Sequence, residues 1–74
     1  MEFDFNKLRG RIIEKMSSQS ALATHLGMTK SQISGRLNNK VPFCPDEIHR
    51  MCLPDCLDIA PEEIGVYFFT PKVR

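Results

Sequence analysis

Apolar side chains recur at helical spacing through most of this chain. Leu8, Ile12, Ile13 and Met16 predict a first helix from Asn6 to about Met16. Leu22, Ala23 and Leu26 predict a second, Gln19 to Leu26, which Gly27 ends because glycine enters the left-handed conformation without steric cost. Ile33 and Leu37 stack four residues apart on a third helix. Thr29 opens that helix, and Gln32, three residues on, completes a capping box. Ile48, Met51 and Cys52 mark a fourth, with Pro45 in its first turn and Asp46 and Glu47 matched to its dipole. Pro54 stops it near Leu53. Pro61-Glu62-Glu63 repeats the same opening grammar before a last short helix with Ile64 and Phe68 facing inward. The pattern is all-α, with five short helices.

The ends and joints read differently. Phe3 and Phe5 alternate with Glu2 and Asp4, as in an extended arm or the lead-in to a helix that Asp4 or Asn6 caps. Ser17 and Ser18 break the first helix and cap the second. Asn39 suits a left-handed position after the third, and Val41-Pro42-Phe43 is an extended connector. Val66 to Thr70 is rich in strand formers. Such a tail either packs on Phe3 and Phe5 or pairs with its counterpart in a second subunit. Gly10 weakens the first helix by roughly 1 kcal/mol or admits a close neighbour.

Length and charge sharpen the picture. At 74 residues the chain fits one domain, 1–74, with a modest core. No apolar run approaches the roughly 20 residues of a membrane span, and the acidic, aromatic start is unlike a signal peptide. A cytoplasmic protein is expected. The net charge of +1 conceals an asymmetry: residues 1–43 carry seven basic against three acidic side chains, and 44–74 carry three against six. One face for a polyanion and another turned away is the expectation. Lys7, Arg11 and Lys15 form a stripe on the first helix, either solvated or in contact with phosphate. Cys44, Cys52 and Cys56 are an odd set, unsuited to a disulfide scaffold. With His49 they have zinc-ligand chemistry at a spacing that matches no standard site, so neither metal nor cofactor is expected. His25 lies beside the turn after the second helix, as a surface or phosphate-facing group. No nucleophile has an obvious base partner, and an enzyme is not expected.

The second and third helices carry the strongest signal. Ala23 is small where they cross, Gly27 makes the turn, and Ile33 anchors the second helix on the first, the grammar of a helix-turn-helix. The outer face of the third helix, Lys30, Ser31, Ser34, Gly35 and Asn38, is small or hydrogen-bonding and free of negative charge, a surface that fits a major groove.

From Gln19 to Lys40 the chain resembles the Cro/C1-type helix-turn-helix of phage repressors. FDFNKLRGRIIEK, LNNKVPF and PEEIGVYFFTPKV extend the likeness to small regulators of temperate phages of Gram-positive bacteria, which include Cro-like repressors and modulators of the lysis–lysogeny switch. The resemblance implies a lambda-repressor-like, five-helix domain that binds double-stranded operator DNA as a homodimer. It places Lys30 and Ser31, with Ser34 and Gly35 one turn on, at base edges. It places Gln19 on a phosphate, bracing the third helix, and Asn38 and Lys40 at the phosphate-contacting end. Gly35 departs from the longer side chain usual there, and Pro54 from an unbroken fourth helix. The main expectation is a sequence-specific DNA-binding repressor. The alternative is an anti-repressor that acts by binding the phage's main repressor protein.

Overall fold

The computed structural model describes residues 2–73; Met1, and Arg74 with its part in the charge balance above, lie outside the described residues. Five α-helices follow one another: α1 (Asn6–Met16), α2 (Gln19–Leu26), α3 (Lys30–Leu37), α4 (Pro45–Cys52) and α5 (Ile64–Phe68). A single turn of 3₁₀-helix, Pro61–Glu63, leads into α5. Among the described residues no strand forms, only one antiparallel bridge between Phe3 and Pro71.

Local chemistry sets the first three helices. The Asp4 carboxylate accepts the Asn6 N–H at 2.8 Å, so Asp4 rather than Asn6 closes the start of α1. The Ser18 hydroxyl accepts the Ala21 N–H at 3.0 Å at the start of α2. Gly27 follows α2 at φ +72°, where a Cβ would strain the backbone. The capping box of α3 closes in both directions: Gln32 N–H donates to Thr29 Oγ1 at 3.1 Å, and Thr29 N–H to Gln32 Oε1 at 2.9 Å. Asn39 takes the left-handed position at φ +61°.

The core runs through every helix. Leu8, Ile12, Leu22, Ile33, Leu37, Met51, Leu57 and Phe68 are its fully buried side chains. Each such side chain contributes about 1.5–3 kcal/mol by leaving water. Ile13 does not join them. It is 56% exposed, because one residue past Ile12 turns about 100° away from the buried stripe. Nor does Gly10 admit a neighbour, since nothing lies within 4 Å of where its Cβ would stand. Arg11 is neither solvated nor free for a phosphate: Nε donates to the Leu57 carbonyl at 2.8 Å and Nη2 to that of Asp58 at 2.7 Å. It thereby fastens α1 to the loop after α4.

The C-terminal segment departs most from expectation. Val66, Tyr67 and Phe68 are helical, because α5 sinks Phe68 to 1% exposure against Phe43, their rings edge-on at 5.3 Å. Only beyond Phe69 does the chain extend. There Asp4 N–H donates to the Thr70 carbonyl at 2.8 Å and Lys72 N–H to that of Glu2 at 3.1 Å. The arm's other edge is held by Asn39: Phe3 N–H donates to Oδ1 at 2.9 Å, and Nδ2 donates to the Phe3 carbonyl at 3.0 Å. The tail therefore packs on its own N-terminal arm. Pro71, lacking an N–H, blunts its outer edge against further pairing.

Candidate interaction surface

Arginines fix the helix pair α2 and α3, two of them acting on α3 and one on α2. Arg36 Nε and Nη2 donate to the two carboxylate oxygens of Glu47 on α4, at 2.8 and 2.9 Å. Arg9 on α1 donates from Nη2 to the Leu37 carbonyl at 2.9 Å and to Asn38 Oδ1 at 3.2 Å, closing the end of α3. Arg50 on α4 donates to the Leu26 carbonyl at 2.7 Å, closing α2. Helix ends carry unpaired carbonyls and partial negative charge, so a cation there satisfies both.

With its back held, α3 presents the face read from the sequence. Lys30, Ser31, Ser34, Gly35, Asn38 and Lys40 line one shallow groove of about 400 Å³. Gln19, in the first turn of α2, does not line it. The side chains of Lys30 and Lys40 form no hydrogen bond or ion pair with any described residue, whereas those of Arg9, Arg11 and Arg36 from the same basic half are all engaged. Asn38 is partly engaged as well: its Nδ2 donates to the Ser34 carbonyl at 2.8 Å and to Ser34 Oγ at 3.2 Å. The floor at Gly35 is open, with nothing within 4 Å of the point a Cβ would occupy.

A second concavity lies on the other side of the ridge formed by residues 35–41. It encloses about 310 Å³ between Phe3, Phe5, Val41, Pro42, Phe43, Ile48, Phe68 and Phe69, with Arg36 and Asn39 on its rim. Phe5–Phe43 and Phe43–Phe68 meet edge-on at 5.4 and 5.3 Å, and Phe3–Phe69 at 5.6 Å. Edge-on rings are the favoured arrangement, so the walls hold their shape. The sequence pattern does not reveal this cavity. Its only signal there is that all five phenylalanines stand at positions 3, 5, 43, 68 and 69, near the two ends and the connector.

The Arg36–Glu47 pair joins α3 to α4 beside the aromatic cavity, which Arg36 lines. Its side chains are 13% and 14% exposed. Burial alone pushes the Glu47 carboxyl up, but the Arg36 hydrogen bonds, the Cys44 N–H and the charges of Arg36 and Arg50 outweigh it and hold the group below the usual carboxylate range. The Glu47 hydrogen bond in turn raises Arg36. Burial pushes the thiols of Cys52 and Cys56 up, which keeps them protonated and poor nucleophiles. His25 approaches Asp55 at 3.7 Å, so it faces a carboxylate. Among the described residues no three His, Cys, Asp or Glu side chains are grouped to hold a metal ion, and no helix is long and apolar enough to cross a membrane.

The family model described as "Protein of unknown function (DUF739)" matches residues 1–71. Among solved structures, the chain is similar to the solution structure of the modulator of repression of the temperate bacteriophage TP901-1 from Lactococcus lactis. The identity is 35% and the TM-score 0.79, over 100% of this chain and 97% of that one. No curated protein matches. These likenesses support a small phage regulator without singling out the Cro/C1-type family.

Proposed function

The chain belongs to the DUF739 family, and we propose that it regulates the lysis–lysogeny switch of a temperate phage by binding the phage's main repressor protein in the host cytoplasm. The observation that carries this reading is the end-to-end similarity to a phage modulator of repression. The geometry supports it through the scarcity of free cations on the α3 face, Lys7 and Lys15 standing exposed on α1 and outside the groove. Only Lys30 and Lys40 stand unpaired along the groove among the described residues. Two neutralised phosphates give a salt slope of about −1.8, so raising salt from 50 to 200 mM costs a DNA complex only about twelvefold, against 10³–10⁵ for binders with six to ten phosphate contacts. An electrostatic term that small supplies little affinity for a duplex on its own.

The second reading is the direct one, a helix-turn-helix repressor that docks as a homodimer on operator DNA. The observation that favours it is the assembly of Lys30, Ser31, Ser34, Gly35, Asn38 and Lys40 in one groove along α3 and its exit; the direct reading adds Gln19, outside that groove, as a further phosphate contact. One experiment separates the two: a gel shift with the switch-region DNA, with and without the phage repressor, at two salt concentrations. Repressor binding in solution, with no shift by this protein alone, supports the modulator. A salt-sensitive shift by this protein alone, without repressor binding, overturns it in favour of the direct reading.

A further inference from the structure

The aromatic cavity beside α3 bears on which of these partners the surface fits. Its walls are apolar, and the core rings Phe5 and Phe68 form its depth at 4% and 1% exposure. The two polar side chains on its rim are already engaged, Arg36 by Glu47 and the Gln32 carbonyl, Asn39 by both backbone groups of Phe3. A polar metabolite would find few free partners there and would lose its hydration. A bulky apolar side chain loses nothing comparable, and a cavity of about 310 Å³ is large enough for one.

The cavity is not isolated. From Gly35 to Val41 the residues divide between the two sides, with Leu37 buried in the core. Gly35, Asn38 and Lys40 line the polar groove, while Arg36, Asn39 and Val41 line the cavity. A segment lying across the ridge reaches both. No carboxylate lines either concavity, and Glu47, bonded to the cavity-lining Arg36, is neutralised by it. The free charges on this face are Lys30 and Lys40. Complementarity therefore asks for an occupant with an apolar anchor flanked by acidic groups.

We infer that the cavity is an anchor site for a partner protein, which inserts one aromatic or leucine side chain between Phe43, Phe68 and Phe69 while flanking carboxylates pair with Lys30 and Lys40. The inference rests on the protein-partner reading above and adds to it the place and chemistry of the contact. Duplex DNA meets the lysines but has no side chain to fill the cavity, so the two partners respond differently when the cavity is closed.

Val41, 44% exposed on the connector, is the position to close it from. Val41→Lys blocks the mouth and adds a cation that an acidic partner or DNA would otherwise welcome. Phe69→Ala removes a half-exposed wall. Ile13→Lys, on an exposed part of α1 away from the cavity, is the control. Each is titrated against the repressor of the same phage by calorimetry, with circular dichroism to check folding. Wild type is also titrated with indole while backbone amide signals are followed by NMR. The expected result is at least tenfold weaker repressor binding for Val41→Lys and Phe69→Ala, none for Ile13→Lys, and indole-induced shifts confined to Val41, Phe43 and Phe69. Repressor affinity within twofold of wild type in Val41→Lys, with Lys30→Ala/Lys40→Ala weakened, overturns the anchor site and leaves the repressor as partner. Indole shifts scattered away from the cavity also overturn it. A dimer that Val41→Lys splits with repressor affinity intact assigns the cavity to a second copy and overturns it too. Failure of wild type to bind the repressor at all defeats the partner reading itself.

Discussion

Replacing Glu47 tests how α3 is held, because one carboxylate does two jobs. It accepts both Arg36 bonds, at 2.8 and 2.9 Å, and the Cys44 N–H at 3.0 Å. Glu47→Gln keeps the shape and part of the cap but removes the charge. A hydrogen bond to a charged group contributes about 1.5–3 kcal/mol, and breaking a fully buried pair costs about 3–5 kcal/mol. The two side chains retain 13% and 14% exposure, so water recovers part of this for Arg36. A loss of about 2 kcal/mol is expected, a large share of the roughly 4–11 kcal/mol available to a domain of this length. Urea unfolding followed by circular dichroism measures it, and a cycle with Arg36→Met isolates the pair. The pH dependence carries a definite sign. The folded Glu47 carboxyl lies below its ordinary value of about 4.3, so its contribution is complete above that value. It is lost as pH falls through the lower folded-state value. Wild type and Glu47→Gln should therefore converge in stability on acidification below about pH 4. A coupling energy under about 0.3 kcal/mol, or a gap that stays constant with pH, refutes the account.

Gly35→Ala adds a methyl into open space and should stabilise α3 by about 0.5–1 kcal/mol; if repressor binding falls while stability rises, the partner approaches that backbone closely. Asn39→Gly keeps the left-handed backbone but loses both bonds to Phe3, and should cost about 1 kcal/mol and raise hydrogen exchange in residues 2–4. Thr29→Ala opens the capping box of α3 and should cost about 1 kcal/mol in thermal or urea unfolding.

The helices that are legible in the sequence are those whose ends are set locally. Ser18, Gly27, the Thr29–Gln32 box and Pro45 act within a few residues, so α2, α3 and the start of α4 can be read to the residue. What escapes is decided by distant partners. Phe68 follows strand formers, yet its burial against Phe43 makes α5 a helix. Arg11 sits on a stripe with Lys7 and Lys15, but the loop carbonyls it binds lie 46 and 47 residues away. The six groove residues share one helix and its exit, so spacing alone groups them. The cavity draws on the arm, the connector and α5, and no local period links those segments.

The same distinction bears on the charge asymmetry. The basic first half invites a polyanion, and its cations are there in the number counted. Yet Arg9, Arg11 and Arg36 are committed to carbonyls and to Glu47, where they close helix ends and tie α1 and α4 to their neighbours. A planar guanidinium is the side chain suited to such forked, half-buried bonds, and a lysine to a hydrated surface charge. The split between the two residue types therefore divides architecture from surface: arginine holds α3 in place, and lysine alone is left for whatever α3 meets. With Lys30 and Lys40 lining a groove along α3, and an apolar cavity across the ridge, the contact we propose is one that charge orients and apolar burial retains. That combination is better matched to a protein surface than to a phosphate backbone.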